Sequence, residues 1–138
     1  MLKYKAIILL LFLSSCSDNP IENSCADPIG SEDKSLSDES IICFKDDFNN
    51  CFQLSYSSSL KEIRSVIISG GEEASILDAG ELSCLGEVTA KPLTGFSPAV
   101  GLVEHHGYVV KLPDNTYGRL YVDSDESNGI NITWQYSF

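Results

Sequence analysis

The chain has 138 residues and a formal net charge of −11, from 9 basic and 20 acidic residues. This acidic balance disfavours nucleic acid and anionic lipid surfaces as ligands, because like charges repel, and leaves a basic protein or a cation as an allowed partner. The length suits one domain with its own hydrophobic core.

The first segment has the pattern of an export signal. Lys3 and Lys5 precede an unbroken apolar run from Ala6 to Leu13. Eight apolar residues are too few to cross a bilayer core, which takes about 20. We therefore expect residues 1–15 to be a cleaved signal peptide. Its removal takes away two lysines and no acid, so the formal charge falls from −11 to −13.

The tetrapeptide Leu13-Ser14-Ser15-Cys16 closes this segment. It resembles the lipobox of bacterial lipoproteins, in which the cysteine is lipidated on sulfur, the chain is cut just before it, and the new amino terminus is acylated. The resemblance implies that Cys16 carries a lasting membrane anchor, since several acyl chains hold a protein where one does so only marginally. An ordinary cleaved signal is the alternative, but it leaves Cys16 without a role. In many such lipoproteins an aspartate after the cysteine favours the inner membrane; Ser17 favours the outer membrane.

Four cysteines remain once Cys16 is assigned to lipid: Cys25, Cys43, Cys51 and Cys84. An even number in an exported chain predicts two disulfides, with three alternative connectivities. The spacings contain no C-x-x-C pair, which speaks against a zinc site and thioredoxin-like redox chemistry. We expect no metal and no cofactor.

Residues 16–40 are rich in Ser, Asp and Glu and include Pro20, Pro28 and Gly30, a composition typical of a tether with little structure of its own. The folded domain is then expected to span residues 41–138. A disulfide at Cys25 would leave only residues 17–24 free, and eight residues reach at most about 28 Å.

Residues 41–56 predict a β-hairpin, because turn-forming Asp and Asn residues interrupt two β-favouring runs. A register that sets Cys43 opposite Cys51 allows a short cross-strand disulfide and sets Ile42 opposite Phe52. The same register gathers the apolar side chains on one face: Ile42, Phe44, Phe52 and Leu54. This register favours the pairing Cys43–Cys51, which leaves Cys25–Cys84.

Residues 106–123 predict a second hairpin around a three-residue Pro-Asp-Asn loop. Pro presets φ, Asp favours a turn, and Asn115 tolerates a left-handed backbone. Such a loop places Leu112 opposite Thr116. The resulting register puts one apolar set on a single face: Tyr108, Val110, Leu112, Leu120 and Val122.

The other face of this hairpin carries a candidate binding patch of Lys111, Tyr117, Arg119 and Tyr121. Tyr and Arg are favoured at the centres of protein interfaces. The alternative is that a second layer of the protein covers these side chains.

The hairpin sequence from Tyr108 to Leu120 is similar to hairpins of small β-rich bacterial lipoproteins, among them the haem-capturing lipoproteins of the HmuY family. This resemblance implies capture of a small, haem-like ligand as one function. It carries over no haem ligand, because both histidines of this chain, His105 and His106, are adjacent. Neighbouring residues in a strand point to opposite faces and make a poor chelate.

Residues 130–138 alternate apolar and polar side chains, which predicts a half-buried strand running to Phe138. Together the elements predict a mainly β domain: a small antiparallel β-sandwich or partly open barrel of about six to eight short strands, stapled by disulfides.

The sequence contains no motif of a catalytic nucleophile or a phosphate loop, so we expect no enzymatic activity. The favoured function is that of a non-enzymatic envelope lipoprotein, held to the membrane by lipid, that binds or supports another envelope component. The alternative is an inhibitor or immunity protein for an envelope-directed hydrolase or toxin, with a basic protein as its partner.

Overall fold

The computed structural model describes residues 25–44, 53–66 and 73–138. Within these ranges the chain forms nine β-strands and one turn of 3₁₀ helix, Leu85–Glu87. The strands are β1 (Glu32–Leu36), β2 (Ile41–Cys43), β3 (Gln53–Ser57), β4 (Glu62–Ser65), β5 (Ser75–Glu81), β6 (Ala99–Gly101), β7 (His106–Lys111), β8 (Tyr117–Glu126) and β9 (Gly129–Tyr136).

The strands form two antiparallel sheets. One sheet has five strands in the order β1-β9-β8-β7-β5, and the other has four in the order β2-β3-β4-β6. In the part of the chain that the structure describes, the two sheets are not closed into a barrel. The predicted mainly β, sandwich-type architecture is therefore confirmed, with nine strands in the described residues rather than six to eight.

The hydrophobic core lies between the two sheets. The five-stranded sheet contributes Tyr108, Val110 and Leu120, and the four-stranded sheet contributes residues such as Leu54 and Ile63; all are fully buried. Burial of apolar surface is the main force that favours folding. The side chains that fill this space are contributed by β-strands of both sheets, as expected for a sandwich.

The hairpin of β7 and β8 has the predicted register. Tyr108 pairs with Leu120 and Val110 with Gly118. The loop closes with a hydrogen bond from Leu112 N to the Thr116 carbonyl at 2.9 Å. Asn115 has a φ of 62°, so the predicted left-handed residue of the loop is confirmed.

The hairpin of β2 and β3 is present, but its predicted register is wrong by two residues. Cys43 pairs with Gln53, and Ile42 pairs with Leu54 rather than with Phe52. A shift of two residues leaves every side chain on its original face, because strand side chains alternate. Ile42, Phe44 and Leu54 are accordingly buried on one face as expected.

Of the two predicted disulfides, Cys25–Cys84 is present, with Cα atoms 5.7 Å apart. Cys43 is also disulfide-bonded. Its predicted partner, Cys51, lies outside the described residues, as do Phe52 and the predicted lipidation site Cys16. The pairing Cys43–Cys51 therefore stays a prediction.

The folded part of the chain begins earlier than residue 41. Residues 32–36, which the sequence assigns to the tether, form β1 and pair with β9 from Glu32↔Trp134 to Leu36↔Ile130. Only Leu36 of this strand is buried. Strand pairing uses backbone groups, so a polar segment at a sheet edge can form a strand without an apolar pattern.

Strand β9 ends two residues before the predicted end. Tyr136 is its last residue, and Ser137 has a φ of 58°. This left-handed residue breaks the alternation. Phe138 therefore does not join Ile130 in the central core; it packs with the cluster on the opposite face of the sheet.

Candidate functional site

The face of the five-stranded sheet turned away from the other sheet is called here the outer face. Residues 82–96, called the cover segment, lie on one part of it. Leu85 and Val88 of this segment pack against Val109 and Tyr121 of the sheet to form a second, smaller hydrophobic cluster. Gly107 allows this close packing, since a Cβ there would lie 2.6 Å from a methyl group of Val88.

The cover segment removes two of the four residues of the predicted binding patch, Arg119 and Tyr121, from solvent. Arg119 and Tyr121 are only 8% and 5% exposed, and Lys111 and Tyr117 are half-buried. The four residues do lie on one face, as the register requires. Arg119 and Tyr121 lie beneath the cover segment, because Leu85 and Val88 of that segment pack on Val109 and Tyr121.

Arg119 is held by uncharged groups. Its Nε and Nη2 atoms donate to Gln135 Oε1 at 2.9 and 2.7 Å, and Nη1 donates to the Val88 carbonyl at 2.8 Å. The guanidinium also lies 4.6 Å from the centroid of the Phe138 ring, a favourable cation–π geometry. Burial lowers the pKa of Arg119. Its contacts bind the cover segment to β8 and β9.

The two histidines have separate partners. His105 Nδ1 lies 3.1 Å from the Tyr121 hydroxyl, and His106 Nδ1 lies 3.0 Å from Asp78 Oδ1. Within residues 25–44, 53–66 and 73–138, no three His, Cys, Asp or Glu side chains are grouped so as to hold a metal ion.

The rest of the outer face forms an open cleft of about 540 Å³. Its floor is made by β1, β9 and β8, and the segment that follows Cys25 forms one wall. The residues that line it are mostly polar: Asp27, Asp33, Lys34, Ser35, Asp123, Ser124, Asn131, Ile132 and Thr133. We refer to it as the acidic cleft.

Thr133 links two of the carboxylates that line the acidic cleft. It is buried, and its hydroxyl Oγ1 lies 2.9 Å from Asp33 Oδ1 and 2.8 Å from Asp123 Oδ2. Partial desolvation raises the pKa of Asp123, the Thr133 hydrogen bond opposes this effect, and the negative charges of Asp27 and Asp33 raise it further. Three carboxylates and one lysine, Lys34, line the cleft, so its net charge is negative and suits a cationic group.

Sequence reasoning did not identify this cleft. Asp33 and Thr133 are 100 residues apart, and Asp27 and Asp33 lie in the segment that reads as a tether. No short motif links them. The pairing of β1 with β9 brings Asp33 and Thr133 together. The cleft could have been predicted only if residues 32–36 had first been recognised as an edge strand.

Comparison of the chain with protein-family models, curated proteins and solved structures finds no match. In the part of the chain that the structure describes, no helix has the length and apolar character needed to span a bilayer.

Proposed function

We propose that this protein is a lipid-anchored lipoprotein of the bacterial outer membrane that binds or supports another envelope component without catalysis. The observation that carries the proposal is the sequence Leu13-Ser14-Ser15-Cys16, which follows a positively charged and then apolar segment. Acyl chains on Cys16 would insert into the bilayer and hold the chain there.

A disulfide ties the described domain to the sequence shortly after Cys16. Cys25 is bonded to Cys84, which lies in the cover segment. Only residues 17–24 separate Cys16 from this attachment point, and eight residues reach at most about 28 Å. A domain held at this range would meet other components at the membrane surface rather than far from it.

Fractionation of cells that express the full chain tests the proposal. Wild-type protein is expected in the membrane fraction after a carbonate wash, and Cys16→Ala is expected in the soluble fraction with an unchanged melting temperature. Ser17→Ala is the matched control, because it alters the neighbouring residue and leaves the anchor, so it should remain in the membrane fraction. Retention of Cys16→Ala in the membrane would contradict the proposal.

A second candidate function is inhibition of, or immunity against, a basic envelope-directed hydrolase or toxin. The acidic cleft supports this candidate, because Asp27, Asp33 and Asp123 face the same space. Charge complementarity of this kind speeds association with a basic protein and weakens as salt rises.

A turbidity assay with lysozyme, a basic cell-wall hydrolase, tests the second candidate with Cys16→Ala protein. Inhibition that falls with salt, and falls further in the Asp33→Asn/Asp123→Asn variant, would support it. Glu39→Gln removes an acid that does not line the cleft and should retain inhibition. Equal activity of lysozyme with and without the protein would exclude this class of hydrolase as the target.

Capture of a haem-like ligand gains no support from the described residues. Core side chains of both sheets fill the space between them, and the cleft on the outer face is lined mostly by polar residues.

A further inference from the structure

We infer that the domain rests against the bilayer through one patch of its surface, an inference that depends on the proposed lipid anchor. The patch consists of Ile29, Lys91, Leu93 and Phe138 and is called here the anchor-side patch. This patch contacts the headgroups and the upper acyl region of the membrane.

The anchor-side patch contains two strongly exposed apolar side chains. Among the residues that the structure describes, Ile29 and Leu93 are the most exposed large apolar side chains, at 100% and 82%. Scattered residues of this kind are ordinary on soluble proteins, so exposure alone decides nothing. Their position decides it: Ile29 follows Cys25 by four residues, and Leu93 belongs to the cover segment that Cys84 fastens to Cys25.

A continuous series of contacts joins the two sides of the patch. Gln135 Nε2 donates to the Ile29 carbonyl at 2.8 Å, and Gln135 Oε1 accepts a hydrogen bond from Arg119 Nε at 2.9 Å. Arg119 lies 4.6 Å from the centroid of the Phe138 ring, and Lys91 Nζ lies 5.0 Å from the same centroid. These contacts place Ile29, Phe138 and Lys91 close together across β9, β8 and the cover segment, and Leu93 follows Lys91 by two residues.

The loop that carries Leu93 is also held in place. The Tyr117 hydroxyl donates to the Pro92 carbonyl at 3.3 Å, and the rings of Phe96 and Tyr117 lie 6.4 Å apart. The loop is therefore held against β8 both just before Leu93, at Pro92, and just after it, at Phe96.

The chemistry of the patch suits a lipid interface. Aliphatic side chains can enter the boundary between headgroups and acyl chains, while a lysine on a long stem keeps its ammonium at the level of the phosphates. The acidic cleft, with Asp33 and Asp123, occupies the other part of the outer face. The tether limits separation from the bilayer to about 28 Å, and it enters the domain beside this patch.

Tryptophan fluorescence in reconstituted vesicles tests the inference. Full-length, lipidated wild type, Leu93→Trp and Leu60→Trp are placed in phosphatidylcholine vesicles with and without bromine on the upper acyl chain. Leu60 is the matched control, since it is also an exposed leucine, at 61%, but lies in the turn between β3 and β4. The emission of native Trp134 is measured in the wild type and subtracted from that of each variant.

The expected result is a blue-shifted, bromine-quenched emission from Leu93→Trp and an unquenched, water-like emission from Leu60→Trp. Water-like emission from both positions in vesicle-bound protein would overturn the inference and leave the anchor intact. A blue shift without bromine quenching would indicate contact with a second protein chain and would also overturn it. Failure of the wild type to float with vesicles would instead count against the proposed anchor.

Discussion

Asn115 sets the geometry of the β7–β8 loop, since its φ of 62° is tolerated by asparagine and disfavoured for β-branched residues. We expect Asn115→Val to lower the free energy of unfolding by about 1–2 kcal/mol, the cost of the left-handed conformation in other residues. Urea denaturation measures the change. Asn115→Gly is the control and should be far less destabilising; equal stabilities of the two variants would show that position 115 is not strained.

Tyr108 is a buried polar link between the two sheets. Its hydroxyl accepts a hydrogen bond from Val103 N at 2.8 Å and donates one to the Gly101 carbonyl at 3.1 Å. Burial is the main reason that the pKa of Tyr108 is raised to about 12. An unfolded tyrosine ionises near pH 10, so the folded state keeps a proton that the unfolded state loses. This contribution to stability is complete below about pH 10 and is lost as the pH rises to about 12.

Replacement of Tyr108 by Phe tests both roles. The variant removes the hydroxyl partner of the backbone groups of Val103 and Gly101, which are in exposed residues, and we expect a loss of about 0.5–1.5 kcal/mol at neutral pH. Denaturation measured between about pH 10 and 12 should then show a shallower decline than in wild type. Tyr136→Phe is the control, as Tyr136 is only half-buried. An identical pH profile for Tyr108→Phe and wild type would contradict the assignment.

At the scale of strands and turns, the predictable elements are those in which two independent signals agree. In the β7–β8 hairpin, the Pro-Asp-Asn loop and the apolar alternation specify the same register, and Val110 does face Gly118. In the β2–β3 hairpin the alternation alone was available. It cannot distinguish registers two residues apart, because both bury Ile42 and Leu54.

Elements that depend on distant partners were not predictable. Strand β1 has a polar sequence, and only its pairing with β9 reveals it as a strand. The burial of Arg119 and Tyr121 depends on residues 82–96, which no local pattern assigns to the outer face. The acidic cleft depends on both features, so the candidate site was less predictable than the fold.

Gly118 of β8 shows how closely the sheets pack. A Cβ at this position would lie 2.4 Å from Cδ1 of Phe44, whose ring packs edge-on against Trp134 at 5.1 Å. We expect Gly118→Ala to destabilise the protein by about 1–3 kcal/mol, as overpacking does. Gly101→Ala is the control, since its Cβ would make only ordinary contacts, at 3.9 Å. Equal melting temperatures for the two variants would contradict this packing.

At the scale of the whole molecule, the Cys25–Cys84 disulfide joins the N-terminal end of the described residues to the cover segment across 59 residues of sequence. We expect the Cys25→Ser/Cys84→Ser variant to lose about 2–4 kcal/mol, the usual effect of opening a long loop. Urea denaturation on a Cys16→Ala background measures it, with Cys16→Ala alone as the control. Unchanged stability would show that the cover segment is held without this bond.

The intact mass of the protein extracted from membranes is the decisive measurement for the proposed lipid anchor at Cys16. We expect a chain that begins at Cys16 and carries the added mass of acyl groups, all of it on the Cys16 peptide after digestion. A chain that retains residues 1–15, or one that begins at another residue with an unmodified Cys16, would show that Cys16 is not the anchor.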